Sequence, residues 1–162
     1  MRLARTGGVP VPTVHEVRPD GLVMELIPGP TLADRVRSRP WLLRSAVGTV
    51  AGLHAKLHNI RYGDKRLVHF DLHPENVIAG PDGPVLIDWT NAHAGDPHAD
   101  VAMTWLIAMT SAGPAGRIFA WLFRRAVGRD PIRRGFPEAS DYRLRDPHVT
   151  DDERHRVRQL RP

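Results

Sequence analysis

The sequence contains no cysteine, which excludes disulfide bonds and thiolate metal sites. Lysine is almost as scarce: Lys56 and Lys65 are the only two, so arginine carries nearly all of the positive charge. Long apolar runs are also missing, since the longest, residues 101–109, is too short to cross a bilayer. The first twelve residues lack the apolar centre of a signal peptide. We therefore expect a cytoplasmic protein without membrane association.

The composition is that of a folded protein, with 41% hydrophobic and 25% charged residues in a chain of 162. This length is enough for one domain with a real core. The net charge of +5 is compatible with an anionic partner. However, no dense basic run is interleaved with aromatic residues, so nucleic acid is an unlikely partner and the arginines are expected on a solvated surface.

Turn residues and apolar spacing predict a mainly helical chain with a few short hairpins. Strands over 13–17 and 22–27, joined by Pro19-Asp20-Gly21, form the first hairpin. N-cap residues predict helices that start after Thr31, Asp96 and Thr150. Other helices are predicted over 40–60 and 115–127. Residues 62–66 and the Pro- and Arg-rich residues 130–147 are predicted to be loops, and residues 1–8 show no firm periodicity.

The side chains that can act as catalytic groups or metal ligands are most closely spaced in residues 67–89, LVHFDLHPENVIAGPDGPVLIDW. Two runs rich in β-branched residues flank the turn signal GPDGP, which predicts a β-hairpin. Asn76 precedes the first strand and Asp88 follows the second, so both are expected at the open end of the hairpin. Asp71 lies on the loop that leads to the same end. The stretch therefore predicts a small cluster of oxygen ligands.

Phosphoryl transfer is one interpretation of this cluster. It requires a carboxylate that accepts the proton of the attacking hydroxyl, a role that suits Asp71. It also requires hard oxygen ligands for Mg²⁺, a role that suits Asn76 and Asp88. The whole pattern, H-x-D-x-x-x-x-N followed by a hairpin and I-D-W, is highly specific.

Two other interpretations stay open. His69-x-Asp71-x-His73 with a further carboxylate or histidine has ligand types that suit zinc, although Pro74 makes this segment a loop and not a strand. Alternatively, these side chains only fix the loop, which is the interpretation we favour for His69 alone. His54 and His58 lie one helical turn apart, a spacing that metal sites use. Because no carboxylate is apparent on that face, we expect satisfied or solvent-facing histidines.

Three segments, HFDLHPEN, LIDWTNA and GDPHADVAMTW, resemble the aminoglycoside phosphotransferase/choline kinase family, which has a protein-kinase-like fold. The resemblance implies an ATP- and Mg²⁺-dependent transfer of phosphate to the hydroxyl of a small molecule. Asp71 is then the catalytic base, with His69 beside it in the catalytic loop. The implied Mg²⁺ ligands are Asn76 and Asp88, and the resemblance makes Asp100 a structural carboxylate that steadies the loop.

The resemblance also implies an α+β fold with a mainly helical C-terminal lobe, residues 30–162, and a remnant of an N-terminal lobe, residues 1–29. The segment Met24-Glu25-Leu26-Ile27 looks like the hinge whose backbone binds adenine. Phe70 stands where relatives often carry glycine. Both lysines follow the hinge, so none occupies the usual place of the phosphate-binding lysine, and we expect weak ATP binding and little turnover.

Two other functions stay open besides the kinase. An inactive remnant could bind nucleotide, or a partner chain or second copy through the exposed strand 22–27. A basic nucleic-acid-binding protein is the third. The acceptor is not defined by the shared motifs: an aminoglycoside, a choline-like amine, a sugar and an amino alcohol all fit.

Overall fold

The structure, a computed structural model, describes every residue from Met1 to Pro162. The chain is mixed α and β and mainly helical. Its helices are α1 (Arg2–Thr6), α2 (Leu32–Ser38), α3 (Leu43–His58), α4 (Pro97–Thr110), α5 (Gly113–Val127), α6 (Arg129–Arg145) and α7 (Asp151–Gln159). Its strands are β1 (Val14–Arg18), β2 (Gly21–Met24), β3 (Arg61–Tyr62), β4 (Lys65–Val68), β5 (Val77–Gly80), β6 (Gly83–Leu86) and β7 (His93–Gly95).

The three predicted N-caps are present. The Thr31 hydroxyl accepts the backbone N–H of Asp34 at 3.0 Å, and the Asp34 carboxylate accepts the N–H of Thr31 in return. Asp96 accepts the N–H of His98 at the start of α4. Thr150 accepts the N–H of Glu153 at the start of α7. Each side chain satisfies a donor that the first helical turn leaves free, which explains why these helices begin where they do.

Helix α4 lies at the centre of the molecule. Nearly all of its side chains are buried, and it contributes to both clusters of buried apolar residues. Helices α5 and α6 pack against it, and α3 packs against α5. The N-terminal segment joins the larger cluster through Ala4, Val9 and Val11. None of the helices has the length and apolar character needed to span a bilayer.

The strands form three small antiparallel sheets, β1–β2, β3–β4–β7 and β5–β6. The predicted central hairpin is β5–β6, with Val77 opposite Leu86 and Gly80 opposite Gly83. The first hairpin is also present, but β2 ends at Met24 and not at Ile27. Beyond it, Leu26 is 90% exposed.

Two local predictions were wrong, and one segment for which no element was predicted is helical. Residues 130–147 are mostly helix α6, although they contain Pro137 inside the helix. Burial of Ile132, Gly135 and Ala139 outweighs the lost backbone hydrogen bond, because these residues pack against α4. Residues 62–66 belong to the hairpin β3–β4, which turns at Gly63 with φ of 67°. Residues 2–6 form the short helix α1, whose Ala4 is fully buried.

The contact between α6 and α4 is so close that only glycine fits at position 135. A Cβ on Gly135 would collide with the backbone carbonyl of His98. We predict that Gly135→Ala lowers the free energy of unfolding by about 1–3 kcal/mol, because the helices must separate. Urea denaturation of both proteins measures the difference.

The matched control is Gly48→Ala, in the interior of α3, where an added Cβ meets no atom within 4 Å. This change should raise the free energy of unfolding by about 0.5–1 kcal/mol, since alanine loses less backbone freedom on folding. Equal effects of the two substitutions would contradict close packing at Gly135.

Candidate functional site

Residues 69–76, which we call the 69–76 loop, connect β4 to the β5–β6 hairpin and lie against helix α4. Asp100 of α4 is fully buried beneath the loop. Its Oδ1 accepts the backbone N–H of Phe70 at 2.7 Å, and its Oδ2 accepts that of His69 at 3.2 Å. One carboxylate therefore fixes two consecutive peptide groups of the loop.

Two histidines of α3 complete the surroundings of Asp100. His58 donates from Nε2 to Oδ2 at 2.8 Å, and His54 Nδ1 lies 3.3 Å from the same oxygen. Burial alone raises the pKa of Asp100, but the imidazoles of His54 and His58 outweigh it and lower this pKa well below its usual value. Asp100 is thus an ionised carboxylate inside the core. The expectation that no carboxylate lies near His54 and His58 was wrong.

The middle of the loop is also held by α4. The buried Thr104 hydroxyl donates to the carbonyl oxygen of Leu72 at 2.5 Å, and the Thr104 hydroxyl oxygen itself lies 2.8 Å from His54 Nε2. Asp100 and Thr104 are one helical turn apart, so they face the loop side by side. Between their contact points the backbone of Asp71 has little freedom.

Phe70 adopts a backbone conformation that favours glycine, with φ of 64°. The cost for a residue with a Cβ is on the order of 1–3 kcal/mol. Its ring is buried and makes edge contacts with His93 at 4.9 Å and Tyr142 at 4.8 Å between centroids. These contacts explain how phenylalanine is tolerated here, since a buried aromatic side chain offsets a strain of that size.

Asp71 and Asn76 are in direct contact. Asn76 donates from Nδ2 to Asp71 Oδ2 at 3.1 Å and to the Asp71 carbonyl oxygen at 2.9 Å. His73 Nε2 lies 3.5 Å from Asp71 Oδ1. Burial raises the pKa of Asp71 above its ordinary value, although the nearby charge of His73 opposes the change. Such a carboxylate is a better proton acceptor than an exposed one.

Asp88 lies at the open end of the β5–β6 hairpin, as predicted. The N–H of Ile87 donates to the carbonyl oxygen of Asn76 at 3.0 Å, so the chain passes Asn76 immediately before Asp88. Asp88 is exposed and accepts the Thr90 hydroxyl at 2.8 Å. Its charge reaches Asp71 and contributes to the raised pKa there. The side chain of Asn76, however, binds Asp71 and not Asp88.

His69 turns into the core. Its Nε2 donates to the carbonyl oxygen of Ile87 at 3.0 Å, and burial lowers its pKa to about 4. This neutral imidazole joins the start of the 69–76 loop to the residue before Asp88. That geometry supports a positioning role. It also separates His69 from His73, which faces Asp71, so the two imidazoles do not form the alternative zinc site.

The segment Met24-Glu25-Leu26-Ile27 lies on the route from the first hairpin to the central one. The Glu25 carboxylate accepts the N–H and the hydroxyl of Thr13 at 2.9 and 2.7 Å. Ile27 lies against Gly80, at the turn of the β5–β6 hairpin. Leu26 presents its side chain to solvent. A role of this segment in binding adenine stays a prediction.

A comparison with protein families adds to this geometry. Residues 55–136, about half of the chain, match the model of the phosphotransferase enzyme family. The chain belongs to the phosphotransferase enzyme family. No curated protein matches the chain. The matched range of this phosphotransferase-family protein contains the 69–76 loop, the β5–β6 hairpin and helix α4, which together hold Asp71, Asn76, Asp88 and Asp100.

Sequence reasoning missed the contributions of His54, His58 and Thr104 to this phosphotransferase-family site. The two histidines had the right spacing, but their carboxylate partner follows more than forty residues later in the chain. Tyr142 was missed because its segment was predicted to be a loop. Its hydroxyl donates to Asn91 at 3.1 Å, which ties α6 to the segment after Asp88.

Removing the charge of Asp100 should destabilise the fold. In Asp100→Asn only one oxygen remains for the N–H groups of His69 and Phe70, and the new NH₂ group faces donors that the carboxylate now accepts. We expect the free energy of unfolding to fall by about 3–5 kcal/mol in urea denaturation.

Asp96→Asn is the matched control on the same helix. Asn caps a helix about as well as Asp, so stability should change little. Similar losses in both variants would show that Asp100 is not the anchor of the loop.

The pKa of His69 predicts a pH dependence of stability. Its folded value of about 4 lies below the ordinary 6.5 of the unfolded chain, so the unfolded state takes up the proton first as the pH falls. The contribution of neutral His69 to the free energy of unfolding is complete above pH 6.5 and is lost as the pH falls towards 4. Between pH 7.5 and 4.5 the wild type should lose about 2–3 kcal/mol more than His69→Gln, which keeps a donor for Ile87.

Free energies of unfolding from urea titrations at the two pH values measure this difference. His155→Gln changes an exposed histidine of α7 and is the control. Between the two pH values it should lose as much free energy of unfolding as the wild type. A His69→Gln variant as acid-sensitive as the wild type would contradict a buried neutral His69.

Proposed function

We propose that this chain transfers the γ-phosphoryl group of ATP to the hydroxyl of a small molecule in a Mg²⁺-dependent reaction. The observation that carries the proposal is the contact of Asp71 with Asn76 on a loop that α4 holds on both sides of Asp71, within the range that matches the phosphotransferase enzyme family. Phosphoryl transfer depends mainly on such positioning and on electrostatic stabilisation.

Asp71 is the proton acceptor in this proposal. The acceptor hydroxyl oxygen attacks the γ-phosphorus, the bond from this phosphorus to the β,γ-bridging oxygen breaks, and ADP leaves. The hydroxyl proton passes to the Asp71 carboxylate. Its raised pKa supports this step, and its half-buried position keeps it accessible to a small acceptor.

The side chains at the open end of the hairpin fit Mg²⁺. Asn76 Nδ2 donates to Asp71 and lies 3.2 Å from His73 Nε2, so the amide oxygen is the atom left for a cation. Asp88 adds an exposed carboxylate. Hard oxygen atoms of this kind suit Mg²⁺. When bound, the ion supplies charge neutralisation to the phosphates of ATP.

The division of the chain is part of the same proposal. Residues 30–162 form the helical lobe with the proton acceptor, and residues 1–29 form the segment that leads into it. The backbone of Met24, Glu25, Leu26 and Ile27 binds adenine between them.

A protein that binds nucleotide or a partner chain without turnover is the second candidate. Val17, Leu22, Met24 and Leu26 of the first hairpin are large apolar side chains, and all of them are exposed. Contact with another chain would remove this surface from water. Binding to nucleic acid is the third candidate, and a steep dependence on salt would identify it.

Asp71→Asn tests the role of the proton acceptor. The change keeps the shape of the side chain but removes its basicity, so phosphoryl transfer should fall by about 10²–10⁴ while the affinity for Mg·ATP stays the same. Calorimetric titration with ATP in the presence and absence of Mg²⁺ measures binding. Release of ADP with amines, amino alcohols, sugars and aminoglycosides as acceptors measures transfer.

Asp82→Asn, in the exposed turn of the β5–β6 hairpin, is the matched control and should behave as the wild type. Turnover of Asp71→Asn at the wild-type rate would refute the assigned role. Binding of Mg·ATP without turnover by either protein would favour the second candidate, and no Mg²⁺-dependent binding of ATP would refute the proposed function.

A further inference from the structure

A second group of possible metal ligands lies beneath the 69–76 loop, apart from the oxygen atoms at the open end of the hairpin. His54 Nδ1, His58 Nε2 and a carboxylate oxygen of Asp100 all lie within 4.8 Å of one another. His54 and Asp100 are buried, and the His58 side chain is 15% exposed. The group joins α3 to α4 at the point where α4 holds the loop.

The hydrogen bonds around His54 determine which of its nitrogens carries a proton. The Thr104 hydroxyl has one hydrogen, which it donates to the Leu72 carbonyl at 2.5 Å. Its oxygen can therefore only accept from His54 Nε2, 2.8 Å away. In a neutral imidazole with its proton on Nε2, Nδ1 carries a bare lone pair.

Nδ1 of His54 has no hydrogen-bond partner. It is buried and lies 3.3 Å from Oδ2 of Asp100. A buried nitrogen atom without a partner costs free energy, because it has given up its contact with water. A cation between the two atoms removes this cost, because each atom becomes a ligand.

We propose that His54 Nδ1, His58 Nε2 and Asp100 Oδ2 bind one divalent transition-metal ion of the Zn²⁺ class. Imidazole nitrogen and carboxylate oxygen are ordinary ligands of this class, at about 2.0–2.2 Å from the ion. Two such ligands of a tetrahedral ion stand about 3.4 Å apart, as follows from those bond lengths. The separation of His54 Nδ1 and Asp100 Oδ2 already fits, whereas His58 must move away from the carboxylate by a few tenths of an ångström.

The surrounding contacts are those of a supported metal site. The second nitrogen of His54 donates to Thr104, which fixes the orientation of the ring. The second oxygen of Asp100 accepts the N–H of Phe70. Nitrogen ligands disfavour Mg²⁺, so this site and the Asn76–Asp88 oxygen set select different ions. The ion displaces the proton by which His58 now donates to Asp100.

The full 162-residue chain tests the proposal directly. Chelator-treated protein is titrated with Zn²⁺ and with Co²⁺ while the melting temperature and the visible spectrum are recorded. We expect one ion per chain, a rise in melting temperature that saturates at one equivalent, and the intense visible bands of tetrahedral Co²⁺. The absence of stoichiometric binding overturns the proposal.

Two glutamine variants locate the ion. His58→Gln should weaken binding by roughly 100-fold or more, because it removes a ligand. His73→Gln makes the same change at the imidazole beside Asp71 and should bind as the wild type. The reverse result would place the ion at Asp71 and overturn the proposal.

A measurement on the wild type covers the case in which His58→Gln does not fold. Paramagnetic shifts of the His54 and His58 ring protons in the Co²⁺ complex support the site, and shifts of other histidines alone refute it. In the chelator-treated protein, nitrogen NMR reports the ring protonation of His54. An imidazolium that persists when Zn²⁺ is added shows that a proton and not a metal ion occupies the gap, which also refutes the proposal.

Discussion

The rest of the structure depends on one buried charge. The Asp100 carboxylate accepts the N–H groups of His69 and Phe70, and these two contacts place Asp71 at the surface of the core. An ionised carboxylate without compensation would be costly at this depth. Here backbone dipoles and two imidazoles supply the compensation. The charge therefore fixes the position of Asp71.

Helix α4 also fixes the other parts of the site. Thr104 holds Leu72 one turn beyond Asp100, while His69 reaches across to Ile87. The 69–76 loop and the residue before Asp88 are thereby connected to the same rigid body. Loops on a rigid scaffold are a common way to combine exposure with precision. Asp71 and Asp88 can therefore lie near the surface, because the buried helix beneath them fixes the segments that carry them.

The parts of the fold that depend on neighbours in sequence were predictable. The caps at Thr31, Asp96 and Thr150 and the turn between β5 and β6 follow from local hydrogen bonds and backbone preferences. So does the closeness of Asn76 and Asp88 at the end of that hairpin. The roles of these residues stay a prediction, for which their chemistry left alternatives open and the family resemblance selected one.

The parts that depend on distant residues were not predictable. Helix α6 contains Pro137 and many charges, and only its packing on α4 through Gly135 makes it a helix. In the same way, the sequence around His54 and His58 gives no sign of Asp100, which lies on another helix. Periodicity shows that a helix face is apolar, but it does not show which polar group the fold brings to that face.

The left-handed conformation of Phe70 has a consequence for the way the site fluctuates. A glycine at this position could let the loop move alone, whereas the phenylalanine ring is wedged between His93 of β7 and Tyr142 of α6. Local opening of the loop must therefore take the C-terminal half of α6 with it. The amide hydrogens of His69 and Phe70 should exchange with solvent as part of one cooperative unit that spans residues far apart in the chain.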